Sequence, residues 1–234
     1  MEILIVLVVI GLVVFGLVKL LKVKLFKPKL TVAQKEYKVK LSKKPNNDRV
    51  IGMPAYGLVK KYGKNGVYGE KSEIATALSL SYLTKTHKGL YVFNNVQVTP
   101  QWDIDHIVLA GDTMILIDTK NWKGKSSYSV RKDSRTGDMS AMRDGSPFPG
   151  NSIKMNYYVK TLKKMYPKFD VVGVMNIDAY GANVNGVGNG FHFINFKELN
   201  STIKQILGRE QGKQSASSKT LVAVKSLASK TTKV

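Results

Sequence analysis

A chain of 234 residues that is 43% apolar and 23% charged can bury one core of ordinary size with appendages, which excludes two full domains. Lys and Arg outnumber Asp and Glu by 37 to 16, so the favoured partners are polyanions, either nucleic acid or an anionic membrane face. The lack of cysteine excludes disulfides, thiolate metal sites and cysteine nucleophiles, and the three histidines (His87, His106, His192) are not paired at ligand spacing, so a metal here would be a hard, oxygen-liking ion rather than zinc.

Residues 3–18 are sixteen consecutive apolar or glycine positions, extended past Lys19 by Leu20 and Leu21. That is just long enough to span a bilayer. The run starts Met1-Glu2 without a basic leader and is followed by Lys19-Leu20-Leu21-Lys22 rather than small residues, so residues 1–21 read as a transmembrane anchor and not as a cleaved signal. Eleven basic and two acidic residues from Lys19 to Arg49 place the amino terminus outside and the rest of the chain in the cytoplasm. Residues 22–48 read as a basic juxtamembrane linker lying against anionic headgroups, with some alternation at 38–41 that would also suit a short edge strand.

The breaker cluster Pro45, Asn46, Asn47 and Asp48 opens a globular domain at 49–207. Residues 69–83 predict a helix from the spacing of Ile74, Ala77, Leu78 and Leu80, with Glu70 and Glu73 in the first turns where the dipole favours acids. A strand follows at 89–98, broken by a turn or bulge at Asn94 and Asn95, and further strands at 103–109, 113–119 and 126–131 read as an antiparallel meander. Residues 135–149 suit a hairpin tip or a mobile loop, 151–166 a helix, and 171–176 a strand covered on both faces. A Gly- and Asn-rich loop at 181–190, a short strand at 191–196 and a closing helix at 196–207 complete an α/β domain. Residues 208–234 read as a basic, mostly disordered tail, apart from the apolar positions at 221–224 and Leu227.

Successive side chains of a strand alternate faces, so Asp118 and Lys120 project together while Thr119 points away, and Asp103 and Asp105 follow the same rule one strand earlier. Paired through the Ala110-Gly111-Asp112 turn, the two strands would bring an acid from each and one lysine to one end of the sheet. Such a cluster is costly without a cation; with one, it suits phosphodiester hydrolysis, the lysine positioning a water and offsetting charge in the transition state. Mg²⁺ suits a carboxylate site that keeps several waters. Glu70, entering from the helix, could add a ligand through water or orient the nucleophile. The competing reading of Asp105, Asp118 and Lys120 is a surface ion pair on an edge strand, against which both acids sit in strongly apolar runs.

Around this cluster, Asp103 reads as a solvent partner rather than a ligand, and His106 as a packed, hydrogen-bonded residue rather than a base. Trp102 and Trp122 flank the acids, where burial is the commoner use of tryptophan and stacking on a base the alternative. Lys123, Lys125, Arg131, Lys132, Arg135, Lys154, Lys160, Lys163 and Lys164 form either a phosphate track or an ordinary solvated face.

Gly69-Glu70, residues 101–108 (QWDIDHIV) and residues 117–124 (IDTKNWKG) resemble the nuclease-related domain (NERD) family, a branch of the PD-(D/E)XK nuclease superfamily, over roughly 62–207. The resemblance implies a restriction-endonuclease-like mixed sheet flanked by helices. It also implies catalytic roles for Glu70, Asp105, Asp118 and Lys120, with Mg²⁺ or Mn²⁺ on Asp105, Asp118 and the Thr119 carbonyl. The chain departs from the family in carrying Asn151-Ser152 where an Asn-Pro pair is common, Met155 where a downstream Gln is common, and Asp118 where Glu is frequent. The expectation is a membrane-anchored, metal-dependent nuclease acting on DNA in preference to RNA. The alternative is a tethered nucleic-acid-binding module or adaptor without catalysis.

Overall fold

The computed structural model describes residues 30–42, 47–55, 58–99, 102–122, 126–132, 135, 139–178, 183–188, 191–208 and 218–231. The apolar run at 3–18, and the anchor read from it, lie outside these residues, as do Lys123 and Lys125. Among the described residues no helix is long and apolar enough to cross a membrane.

In chain order come α1 (Val32–Ser42), β1 (Val50–Ile51), α2 (Leu58–Tyr62), α3 (Lys64–Thr86), β2 (Tyr91–Gln97), β3 (Asp103–Ala110), β4 (Thr113–Lys120), β5 (Ser127–Lys132), β6 (Met139–Arg143) and β7 (Ser146–Pro147). Then follow α4 (Pro149–Met165), β8 (Asp170–Ile177), β9 (Asn183–Gly188), β10 (Phe191–Asn195), α5 (Leu199–Gly208) and α6 (Ser218–Ser229). The strands form one mixed sheet in the order β1-β2-β3-β4-β8-β10-β9-β5-β6-β7. β2, β3 and β4 are antiparallel neighbours, while β4, β8 and β10 run parallel at its centre.

β4 and β8 are almost wholly buried because the sheet is covered on both faces. One face packs Val108, Ile115, Ile117, Val172 and Val174 against Leu80 and Leu83 of α3 and Ile203 and Ile206 of α5. The other packs Leu109, Met114, Leu116 and Met175 against Met155, Tyr158 and Leu162 of α4 and Ala223 and Leu227 of α6. Each such aliphatic side chain contributes on the order of 1.5–3 kcal/mol by leaving water. α3 turns Ile74, Ala77, Leu80 and Leu83 inward at three-residue steps, and its buried Ser81 and Thr84 hydroxyls donate to carbonyls of their own helix. The 3-10 turn Phe196–Glu198 that leads into α5 opens on a capping box in which Asn195 and Glu198 satisfy each other's backbone amides.

Four segments depart from the sequence expectation. The stretch expected as a linker or short edge strand contains helix α1, capped by Thr31, with Gln34 and Tyr37 buried at helical spacing beneath a lysine-rich outer face. β5 does not continue the meander, because it pairs with β6 and β9 instead of β4. The Gly- and Asn-rich segment expected as a loop carries β9, which has neighbours on both sides to take its backbone hydrogen bonds and so needs little intrinsic propensity. The expected disordered tail carries α6, whose Ala223 and Leu227 enter the core four residues apart; beyond it Thr231 bridges to Val96 of β2. Within the 135–149 segment, residues 139–147 form a hairpin, its turn at Asp144 and Gly145 having positive φ at both central residues as a type I′ turn requires.

Candidate active site

The β3–β4 ladder is regular from the Ala110–Thr113 turn to the His106–Ile117 pair and stops there, one step before Asp105 would face Asp118. Two carboxylates directly opposed on neighbouring strands repel, so the pairing is least favourable at that step. On the other side of β3, the β2 register continues unshifted but omits the pair between Asn95 and Asp105, and Asn95 takes a left-handed φ of 54°. Across this point both strands exchange faces: Ile104 and Ile107 enter the same core layer although three residues apart, as do Phe93 and Val96. The twist leaves the Asp105 carboxylate at the split, where its Oδ2 accepts the Thr119 backbone N–H at 2.7 Å. A side chain thus takes the donor that a continued ladder would have used.

Asp118 is buried, its Oδ2 lies 2.7 Å from Lys120 Nζ, and its Oδ1 is buried without a hydrogen-bond partner. Burial and the Asp118 charge push the Asp105 carboxyl up to about 7, against the opposing pull of Lys120. Burial opposes the charge of Lys120, but the Asp118 and Asp105 carboxylates outweigh it and hold the ammonium above its ordinary range. A cavity of about 680 Å³ opens over Asp105, Thr119 and Lys120, with Asp103, Asn121 and Lys154 also on its wall.

The helix acid that reaches this cavity is Glu73, not Glu70. Glu70 is buried one turn earlier, where its Oε1 accepts the Thr31 hydroxyl at 2.6 Å and so ties α3 to the start of α1. Burial, then the Asp105 charge, raise the Glu73 carboxyl well above the ordinary carboxylate range, with Lys120 and the Ala55 backbone acting the other way. Ala55 is held at a left-handed φ of 56°, with the Gln34 side chain donating to its carbonyl and to that of Pro54. α1 therefore fixes one wall of the cavity. The same face of α3 presents Gly66, where a Cβ would come within 2.4 Å of the Leu58 carbonyl oxygen, and Thr76, whose hydroxyl bonds to those of Thr119 and accepts from Asn176. Gly66, Glu73 and Thr76 thus lie at helical spacing on one stripe of α3.

The flanking residues divide. His106 is fully buried and shares a 2.9 Å hydrogen bond with Asn94 Oδ1, and burial lowers it to about 3, so it is neutral packing rather than a base. Trp122 is half-buried among Tyr128, Phe148 and Phe193, whereas Trp102 remains 43% exposed. Ser152 accepts the Ala141 amide at 3.0 Å, and Met155 is packed over Gly173.

A β-hairpin whose strands part at an acid and an Asp-Thr-Lys triplet, backed by parallel strands and flanked by helices, is built as in the PD-(D/E)XK-like nuclease superfamily. Residues 68–180 match the model of the nuclease-related domain (NERD), a family of that superfamily. The match is narrower at both ends than the 62–207 expected, leaving out the start of α3 and all of β9, β10 and α5. Neither the curated proteins nor the solved structures gave a match.

Proposed function

We propose that this chain hydrolyses phosphodiester bonds in nucleic acid, DNA in preference to RNA, with Asp105, Asp118 and Lys120 at the reacting centre. The observation that carries this reading is the 2.7 Å Asp118–Lys120 pair beside an Asp105 carboxyl raised to about 7. The donor set fits a divalent cation such as Mg²⁺ or Mn²⁺. Asp105 and Glu73 are both pushed toward protonation, and Asp118 Oδ1 is buried without a partner, so positive charge is what the cluster lacks. Among the described residues no three His, Asp or Glu side chains form a ready ligand set, so Asp105, Asp118 and the Thr119 carbonyl would share the ion with waters, as Mg²⁺ prefers. When bound, the ion would polarise a phosphoryl oxygen and lower the pKa of a water. Lys120, charged throughout, orients that water and offsets the charge developing on the phosphoryl oxygens. Glu73 presents a proton-holding carboxyl on the same cavity wall, a hydrogen-bond partner for the water in place of the expected Glu70.

The full chain, kept in mild detergent, is expected to cleave plasmid DNA with Mg²⁺ or Mn²⁺ and to lose about 10²- to 10³-fold in rate in Lys120→Ala and Asp118→Asn. Undiminished cleavage in both variants sinks the assignment. The positions of Ser152 and Met155 favour a second reading, a nucleic-acid-binding module or adaptor. Low-salt DNA binding with no cleavage in any metal is the result that reading requires. The sixteen apolar residues at 3–18 support attachment to a membrane, the nuclease domain lying on the cytoplasmic side. Release of the chain from membranes by alkaline carbonate argues against a spanning anchor.

A further inference from the structure

We propose that the exposed rings of Trp102 and Tyr157, outside the cavity but next to Asp103 and Lys154 of its lining, form a stacking platform for unpaired bases, so that the strand entering the site is single-stranded. Its bearing on cleavage rests on the hydrolytic reading above; the binding itself does not.

The chain's two tryptophans are used differently: Trp122 is packed against Tyr128 and Phe148, whereas Trp102 and Tyr157 are each 43% exposed with ring centroids 5.1 Å apart. Tyr157 and Tyr158 both meet the indole at nearly right angles, 85° and 86°, so neither is stacked on it. Trp102 is also held firmly at its backbone. Its N–H donates to the Thr99 carbonyl at 3.3 Å and hydroxyl at 3.1 Å, and its carbonyl accepts from Val98 and Thr99, both at 3.1 Å. A large ring fixed in place but left exposed can receive a planar ligand with little ordering cost.

Its position and charge select the ligand. Trp102 immediately precedes Asp103, which lines the cavity, and lies three residues along the chain from Asp105, roughly 10 Å of extended backbone. That is a few nucleotides at most, at roughly 3.4 Å per stacked nucleotide. Lys154 also lines the cavity, its Nζ 5.3 Å from the centre of the Tyr158 ring, and the Tyr158 hydroxyl is anchored on the Asp103 carbonyl at 2.8 Å. Elsewhere on the cavity lining, Lys61 lies 4.9 Å from the centre of the Tyr62 ring, which is 53% exposed. Rings beside ammonium groups, on a chain of net charge +21, match the alternation of base and phosphate along a strand. A paired base hides both faces in its stack, so a fixed ring at this distance meets only unpaired bases.

The test measures binding by fluorescence anisotropy with the full chain in EDTA, using a labelled oligo(dT) and a hairpin duplex of equal charge. Trp102→Ala is expected to weaken oligo(dT) binding about tenfold and leave the duplex nearly unchanged, while Trp102→Tyr keeps most of the affinity. Equal affinities in wild type and Trp102→Ala, or equal losses for the two ligands, overturn the platform, as does native Trp fluorescence that oligo(dT) leaves unquenched because a protein or another part of the chain occupies the surface. Cleavage with Mg²⁺ is measured separately on both substrates. If oligo(dT) binding depends on Trp102 while nothing is cut, the platform stands and hydrolysis fails; cleavage of duplex alone, with no binding of oligo(dT), overturns the platform and leaves hydrolysis intact.

Discussion

The two ends of the β3–β4 hairpin are built from the same pair of strands and serve opposite ends. At the turn end Leu109 pairs with Met114 and Val108 with Ile115, the register is unbroken, and all four side chains are fully buried. At the open end the ladder stops, β2 kinks at Asn95, and acids and a lysine crowd a space that burial makes unfavourable for them. Apolar packing is concentrated at one end and buried charge at the other, and the second is tolerable because the first, with β8 alongside, holds β4 in place through Lys120.

Substitution at each end should therefore act in opposite directions. Leu109→Ala is expected to cost about 2–5 kcal/mol in the denaturant midpoint. Asp105→Asn should leave the metal-free midpoint at neutral pH unchanged or higher, because it removes a charge whose burial is unfavourable. A large loss of stability in Asp105→Asn would erase the contrast.

Metal addition sharpens the same difference. Mg²⁺ at 100 times its dissociation constant should stabilise the protein by about 2.7 kcal/mol, read as a rise in melting temperature. Leu109→Ala should keep that increment on its lower baseline, whereas Asp105→Asn combined with Asp118→Asn should abolish it. Retention of the full shift in the double variant would mean that the ion binds elsewhere.

The pH dependence follows from Asp105, whose carboxyl titrates at about 7 in the fold against about 3.9 in the unfolded chain. Between these values the folded state holds more protons, so metal-free stability contributed by this group should fall as pH rises from about 4 to about 7 and level off above. Asp105→Asn should flatten that part of the profile; an identical slope in both proteins would assign it to other groups. The smallest effect is expected at Asn95. Asn95→Ala should cost about 1 kcal/mol because a Cβ without a polar side chain is disfavoured at positive φ, while Asn95→Gly should be close to neutral.

What could be read before the fold was known followed the range of the interactions involved. β3, β4 and their turn are legible because apolar side chains mark two adjacent strands and a Gly-Asp turn joins them, and the acids stand out as charges within those runs. The helix acid expected at the site is Glu70, whereas Glu73 lines the cavity. Glu70 and Glu73 share a helical side, and only the docking of α3 decides that one meets Thr31 and the other the cavity. α1, β9 and α6 were missed for a related reason: each has a lysine-, glycine- or serine-rich sequence, and each is held by distant partners such as Pro54, β5 or β2.

The amino-acid sequence by itself determined the α/β class, the central hairpin and the spacing of Asp105, Asp118 and Lys120, since these depend on alternation and turn chemistry within about 20 residues. Only the tertiary structure decided that the sheet splits at Asp105, that Glu73 reaches the site and that Trp102 stays exposed while Trp122 is packed. Those outcomes depend on contacts between residues far apart in the chain, whose geometry no local pattern encodes.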